Sequence, residues 1–236
     1  MNQGTRLQYL EAMGIDVWRS RSSESELASH ADSSSEEESL LLEEAASQDV
    51  RKQDWDRLKV EVKACHACTL CEQRTNTVFG VGNEQADWLI IGEAPGQEED
   101  RQGEPFVGRA GKLLDQMLLA LGLKREQVYI ANVVKCRPPQ NRDPRPDEMA
   151  SCAAYLRQQI DLIQPKIILL IGRVAAQSLL NTTDNVGRMR GVKHYYADGQ
   201  IPMVVTYHPA YLLRSPLEKR KSWKDLQFAY RIYQER

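Results

Sequence analysis

Trp88–Asp100 reads "WLIIGEAPGQEED", an apolar run that passes directly into a loop rich in glycine and acidic residues. Similar apolar runs occur three more times, at "VYIANVV" (128–134), "KIILLIG" (166–172) and "PMVVTY" (202–207). Helical patterns separate the four runs, at 109–122, 146–163 and 173–181. Near-continuous apolar strands that alternate with helices are typical of a parallel sheet with both faces covered. The sequence therefore predicts a three-layer α/β/α fold with a central, mainly parallel sheet.

Polar loops follow three of the predicted strands. They read "GEAPGQEED" (92–100), "NVVKCRPPQNR" (132–142) and "YHPAYLLR" (207–214). Ligands of open parallel sheets bind beyond the carboxyl ends of the strands, so these loops are the candidate site. The acidic residues after Gly96 would repel a phosphate, and no Lys-Ser/Thr pair closes the motif, which argues against nucleotide hydrolysis. A carboxylate in this loop suits a cationic transition state instead.

Charge divides the chain of 236 residues into two parts. Residues 1–50 carry eleven Asp/Glu and three Arg, whereas the remainder carries 28 Lys/Arg and 22 Asp/Glu. A mildly basic body is compatible with a polyanionic partner. The sequence has no run of about 18 apolar residues and no stretch of signal-peptide type, so we expect a cytoplasmic protein without membrane contact.

The first 50 residues predict two segments ahead of a domain at 51–236. Leu7, Leu10, Met13 and Ile15 approximate the apolar face of a short helix, which indicates a docking peptide at 1–20. The alternative is a segment that folds back onto the body. Residues 21–50 are rich in Ser and Glu and read as a disordered acidic linker, because they offer little apolar surface to bury.

Five cysteines raise the question of a metal site. Cys65, Cys68 and Cys71 are spaced by three residues, and Cys136 and Cys152 lie far along the chain. Ferredoxin spacing requires a fourth cysteine at Thr75, and a zinc ribbon requires a second C-x-x-C pair. A composite site therefore remains, and its four thiolates favour an iron–sulfur cluster over zinc. The alternative is that Cys136 and Cys152 are small buried hydrophobes.

Several motifs together resemble the family 4 uracil-DNA glycosylases. They are "CHAC" (65–68), "GEAPGQEED", "PFVGRAG" (105–111), "NVVKCRPPQNR" and "HPAYLLR" (208–214), in the order found in that family. The resemblance runs from Cys65 to the C-terminus. It implies a glycosylase-like domain, monomeric in its body, with a [4Fe–4S] cluster at one side held by Cys65, Cys68, Cys136 and Cys152. Cys71 is then a supernumerary thiol.

The same resemblance implies a monofunctional hydrolase that flips uracil out of DNA and cleaves its glycosidic bond. Glu93 would stabilise the sugar cation or orient water, and His208 would donate a hydrogen bond to the uracil oxygen. The implied base-binding residues are Ala94, Gly96, Phe106 and Asn132. The implied DNA contacts are Arg137, Asn141, Arg142 and Arg214. Leu212 or Leu213 would act as a wedge, a side chain that enters the base stack where the flipped nucleotide was. Taken one at a time, most of these residues have ordinary structural explanations.

A second, shorter resemblance concerns the N-terminus. Leu10, Met13, Gly14, Ile15 and Trp18 resemble the peptide by which the psi subunit of bacterial DNA polymerase III docks onto the clamp loader. This resemblance implies a glycosylase tethered to the replisome. It also implies an alternative function, a non-enzymatic clamp-loader accessory subunit built on a glycosylase fold.

Overall fold

The computed structural model describes residues 51–196 and 200–236. The docking peptide predicted at 1–20, with Leu10, Met13, Ile15 and Trp18, and the linker predicted at 21–50 lie outside the described residues. Within the described ranges, no helix is both long enough and apolar enough to cross a membrane.

The described strands form one six-stranded sheet in the order β1-β3-β2-β4-β6-β5. Their bounds are β1 Val81–Gly82, β2 Trp88–Gly92, β3 Tyr129–Asn132, β4 Ile167–Ile171, β5 His194–Tyr196 and β6 Ile201–Thr206. The four inner strands are parallel, and the two edge strands are antiparallel to their neighbours. The prediction of a central, mainly parallel sheet is therefore confirmed.

Helices connect the strands and cover the sheet. They are α1 at 51–63, α2 Gln97–Gln102, α3 Arg109–Leu119, α4 Pro146–Ile163, α5 Arg173–Leu180, α6 Val186–Met189, α7 Pro209–Arg214 and α8 Lys219–Gln234. Short 3-10 turns occur at Thr69–Glu72, Arg125–Gln127, Pro139–Asn141 and Pro216–Glu218. The predicted helix at 146–163 has the observed bounds, and the one at 109–122 ends three residues early.

Two apolar layers explain why the inner strands are buried on both faces. Successive side chains of a strand point to opposite faces. Leu89 and Ile91 of β2 pack into one cluster with α4, whereas Trp88 and Ile90 pack into another with α3 and α8. Near-continuous apolar strands are therefore required, and the three-layer α/β/α arrangement is confirmed.

Register brings the carboxyl ends of the inner strands to one edge. Gly92 of β2 lies opposite Asn132 of β3, and Ile171 of β4 lies opposite Thr206 of β6. The β2–β3 ladder continues beyond β3, because the Val133 N–H donates to the Gly92 carbonyl at 3.0 Å. The loops that begin at these ends consequently face one another.

Candidate functional site

A cleft of about 860 Å³ lies at the carboxyl edge of the sheet. Its volume falls in the range of roughly 300–1,000 Å³ typical of small-ligand sites. The predicted site residues that line it are Glu93, Ala94, Gly96, Phe106, Asn132, Asn141, Arg142, His208 and Arg214. The topology thus brings together residues from all three polar loops and from the "PFVGRAG" segment.

Phe106 occupies an uncommon backbone conformation at the cleft wall. Its φ of 55° is strained for a bulky side chain, so neighbouring groups must hold it. The Glu99 carboxylate accepts from the Val107 and Gly108 N–H groups, both at 3.0 Å. Gly111 is also required, since a Cβ there would lie 1.6 Å from the Phe106 carbonyl oxygen. This turn presents the Phe106 ring to the cleft.

Asn132 ends β3 with its side chain almost fully buried. Within the described ranges, its Oδ1 is buried without a hydrogen-bond partner. A Cβ at Gly92 would lie 2.5 Å from Asn132 Oδ1 and 2.6 Å from Phe106 Cζ, so only glycine leaves room for both groups. An unpaired buried acceptor beside an aromatic ring is the arrangement expected for a planar ligand that donates an N–H group.

Glu93 follows β2 directly and is half-buried. Burial, and then the neighbouring Asp143 carboxyl with which it shares a hydrogen bond, raises the pKa of Glu93 to about 7. Arg173 partly opposes this rise and itself forms an ion pair with Asp143. Glu93 therefore lies at the balance between its acid and its carboxylate at neutral pH, as general bases often do.

His208 precedes α7 and caps it, because its Nδ1 accepts from the Ala210 N–H at 3.1 Å. That bond assigns the proton of a neutral ring to Nε2. Burial, and then the positive charge of Arg214, lowers the pKa of His208 to about 4. The ring is therefore neutral at pH 7 and offers an Nε2–H donor.

The remaining acidic residues of the loop after Gly96 have structural partners. Asp100 is buried and accepts from the Thr75 N–H at 2.9 Å. Glu98 pairs with Arg101, and Glu99 holds the turn at Phe106. Glu93, by contrast, lines the cleft with another carboxyl, that of Asp143, as its neighbour.

The predicted DNA contacts occupy different environments. Arg142 forms a two-bond pair with the buried Glu148, at 2.8 and 2.6 Å, and this pairing lowers the pKa of Glu148 to about 2. Arg137 Nε donates to Asn141 Oδ1 at 2.7 Å. Arg214 is exposed at the cleft mouth. Arg142 therefore already has an anionic partner, whereas Arg214 faces the solvent.

The prediction for Leu212 is wrong. The segment is the helix α7 and not a loop tip, and Leu212 is 1% exposed within the apolar layer between the sheet and α8. A side chain that fills the core is not available to enter a base stack. Leu213 is 37% exposed, as is Tyr211, so the wedge prediction passes to Leu213.

The cysteines meet at a second cavity. It is lined by Cys65, Cys68, Cys71, Cys136 and Cys152, together with Arg74, Lys135 and Tyr155. All five thiols are free. Within residues 51–196 and 200–236, no three His, Cys, Asp or Glu side chains converge to bind a single metal ion. The fold nevertheless brings the two distant cysteines to the C-x-x-C pair.

Two of these sulfurs, those of Cys136 and Cys152, are buried and accept hydrogen bonds. Burial raises the pKa of Cys136 to about 11 and raises the pKa of Cys152, so free thiols here would be protonated at pH 7. Arg74 Nη1 nevertheless donates to Cys136 Sγ at 3.0 Å, and the Lys135 N–H donates to Cys152 Sγ at 3.3 Å. Donors directed at sulfur are typical of iron–sulfur sites, where iron removes the thiol protons.

The sequence of this chain also matches a known protein family. Residues 79–227 match the uracil DNA glycosylase superfamily. The chain belongs to that superfamily.

Three relatives of this glycosylase-superfamily chain carry the description type-4 uracil-DNA glycosylase. The one from Archaeoglobus fulgidus is 46% identical over 179 residues, which cover 73% of this chain and 89% of the relative. The one from Sulfurisphaera tokodaii is 46% identical over 168 residues, covering 68% and 76%. The one from Thermotoga maritima is 45% identical over 155 residues, covering 65% and 80%.

Sequence reasoning about this superfamily member missed Asp143, Arg173, Glu99 and Lys135. Asp143 follows the quoted motif "NVVKCRPPQNR" by one residue, and Arg173 follows β4 at the same edge as the other loops. That position after a strand was a usable signal for Arg173. No local pattern marks Glu99 or Lys135, because their roles depend on partners that the fold supplies.

Proposed function

We propose that this chain excises uracil from DNA by hydrolysing the glycosidic bond, as a DNA repair enzyme. The observation that carries the proposal is Asn132 Oδ1, which lies beside the Phe106 ring in the cleft and has no hydrogen-bond partner among the described residues. The N3–H of uracil is a donor that this oxygen lacks, whereas N3 of cytosine is an acceptor in DNA. The names of the type-4 relatives point to the same substrate.

Base recognition follows from three groups. The flipped uracil stacks on Phe106, and Asn132 reads its Watson–Crick edge. Backbone groups at Ala94 and Gly96, which line the cleft, complete the pocket. The absence of a side chain at Gly92 leaves the space in which Asn132 and Phe106 meet the base.

Bond cleavage then uses the two groups whose pKa values the fold shifts. As the C1′–N1 bond breaks, its electron pair moves to uracil, and the neutral His208 Nε2–H donates to the uracil oxygen that gains negative charge. The Glu93 carboxylate stabilises the positive charge on the sugar and orients water. The water oxygen bonds to C1′, one of its protons passes to Glu93, and uracil is released.

Contacts to DNA lie around this pocket. Arg214 and Arg137 contact phosphates, and Asn141 accepts a hydrogen bond from Arg137. Arg142 interacts both with Glu148 and with the backbone of the DNA. Leu213 fills the space that the flipped nucleotide leaves. These contacts position the strand, and Asn132 supplies the specificity.

Cys65, Cys68, Cys136 and Cys152 hold a [4Fe–4S] cluster. Their donor type, their common cavity and the N–H groups directed at their sulfurs support this assignment. When bound, the cluster supplies a four-point cross-link between the segment at 65–68, the loop after β3 and helix α4. That cross-link stabilises the loop that begins at Asn132.

A single-turnover assay with uracil-containing single-stranded and double-stranded oligonucleotides tests the activity. Matched oligonucleotides with cytosine or thymine at the same position are the control. We expect an abasic product from the uracil substrates alone. A preparation with full iron content that cleaves none of them would overturn the proposal and favour the non-enzymatic clamp-loader accessory.

Tethering to the replisome is a separate proposal. It rests on the resemblance of Leu10, Met13, Ile15 and Trp18 to the psi peptide, and these residues lie outside the described ranges. A pull-down of the clamp loader with the full chain and with a chain lacking residues 1–20 tests it. Equal recovery of the clamp loader in both samples would contradict the proposal.

A further inference from the structure

Lys135 is a buried cation between the cleft and the cysteine cavity. Its side chain is 1% exposed, and its Nζ donates to the Asn132 carbonyl at 2.9 Å and to Gln159 Oε1 at 2.6 Å. Both acceptors are neutral. Among the described residues, no Asp or Glu side chain pairs with this ammonium. A buried charge without a counter-charge is strongly unfavourable, so an anion is expected nearby.

The nearest groups able to carry negative charge are the thiols. Lys135 lines the cysteine cavity, precedes Cys136 and donates its own N–H to Cys152 Sγ at 3.3 Å. Arg74 lines the same cavity and donates to Cys136 Sγ at 3.0 Å and to the Cys65 carbonyl at 2.7 Å. Two cations therefore flank the proposed ligands.

The charges of the two cations and of the loaded cysteine site balance in one oxidation state of the cluster. Four thiolates around a [4Fe–4S] core in its 2+ state carry two net negative charges. Arg74 and Lys135 together supply two positive charges. Without thiolate charge, the Lys135 ammonium has no electrostatic compensation within the described part of the chain.

Lys135 also forms a hydrogen bond with one end of the peptide group that joins Asn132 to Val133. The carbonyl of that peptide accepts from Lys135 Nζ, and its N–H, which belongs to Val133, donates to the Gly92 carbonyl at 3.0 Å. Both ends of the peptide are therefore fixed. The direction of the Asn132 side chain depends on that peptide, because the side chain leaves the backbone at the adjoining Cα.

We propose that Lys135 is a positioning residue that couples the cysteine site to the base pocket. Its ammonium balances the charge of the loaded thiolates and, through the Asn132 carbonyl, holds the amide that reads the base. The effect of Lys135 on the amide that reads the base rests on the proposed function. Its effect on the charge of the thiolates concerns the iron site alone.

The test compares three variants that are loaded with iron, and measures iron release to a chelator and the affinity for free uracil. Lys135→Met keeps most of the length of the side chain and removes the charge and both donated bonds. We expect iron release to accelerate about 10- to 100-fold, the usual effect of removing a partner of metal ligands. We expect the affinity of the still-loaded protein for uracil to fall about tenfold.

The other two variants separate charge from packing. Arg74→Met removes the second cation, which does not contact Asn132, so it accelerates iron release without changing uracil affinity. Gln159→Met removes a neutral partner of Lys135 and leaves the charge, so iron release keeps the wild-type rate. Circular dichroism and the unfolding temperature check that each variant is folded.

Two results would overturn the proposed role of Lys135 at the iron site. One is a wild-type rate of iron release in Lys135→Met, and the other is an equal acceleration in Gln159→Met, which would assign the effect to packing. If the proposed function is wrong, the wild-type protein will neither bind nor excise uracil. The wild type and the three variants will still keep the expected order of iron-release rates. Unchanged uracil affinity in Lys135→Met, with normal binding by the wild type, would refute the coupling.

Discussion

Phe106 and His208 stack on each other in the cleft, with ring centroids 5.6 Å apart and planes inclined by 30°. This contact and the Ala210 N–H bond at Nδ1 fix the orientation of the imidazole. The two rings come from segments about 100 residues apart, and Gly172, with a φ of 90°, leaves room beneath His208. A Cβ at that glycine would lie 2.9 Å from the Cβ of His208. The donor direction of Nε2 is thus set before a base arrives.

His208→Ala should lower the single-turnover excision rate by roughly 10²–10³, the effect of removing one donor to a developing oxyanion. Because the folded pKa is about 4, the wild-type rate should show no inflection near pH 6.5 from this residue. Rates measured between pH 5 and 8 check both points. An inflection near pH 6.5 that disappears in His208→Gln would contradict a neutral ring.

The same shift makes stability depend on pH. An unfolded histidine binds a proton below about pH 6.5, whereas folded His208 does so only near pH 4. The unfolded state therefore binds more protons between these values, and the free energy of unfolding falls as the pH drops through this window. Unfolding curves at several pH values should show a smaller decline in His208→Gln than in the wild type.

Glu93 should produce the acidic limb of the rate profile. Its carboxylate is the active form and its pKa is about 7, so excision should decline as the pH falls through 7. Glu93→Gln should lower the rate by roughly 10²–10⁴. In Asp143→Asn the neighbouring negative charge is absent, so the pKa of Glu93 falls and the limb moves to lower pH. A limb that stays in place would show that Asp143 does not act on Glu93.

Gly92→Ala should strongly slow uracil excision without unfolding the protein. The new Cβ would displace Asn132 Oδ1 and the tip of Phe106, which lie 2.5 and 2.6 Å from its position. We expect a rate loss of at least about 100-fold, as is usual for misplaced catalytic geometry. Gly122→Asn is the matched control, because no atom lies within 4 Å of a Cβ there and Asn tolerates its φ of 76°.

The cysteine variants should separate ligands from the extra thiol. Cys136→Ala and Cys152→Ala should lose the broad absorbance at about 400 nm and the bound iron. Cys71→Ala should keep both, although Cys71 lines the same cavity, since no described N–H group donates to its sulfur. Iron analysis and absorbance spectra provide the measurement. A colourless wild-type protein with stoichiometric zinc would instead assign the site to zinc.

The sequence was sufficient to predict the four inner strands of the sheet. The four apolar runs became β2, β3, β4 and β6, since strands buried on both faces need continuous apolar residues. The edge strands β1 and β5 were not predicted, because a two-residue and a three-residue strand with exposed positions leave no periodic pattern. Helix α8 was also missed, since its apolar residues are interleaved with many charges.

Residue types and their order determined the polar loops, the cysteine set and the family resemblance, because these are local properties of the chain. The tertiary structure decided which partners they meet. It buried Leu212, paired Arg142 with Glu148, set Asp143 beside Glu93 and enclosed Lys135 between Asn132 and the thiols. The physical reason is that the pKa of a side chain and its availability depend on burial and on charges distant in sequence. Only the folded chain brings these together.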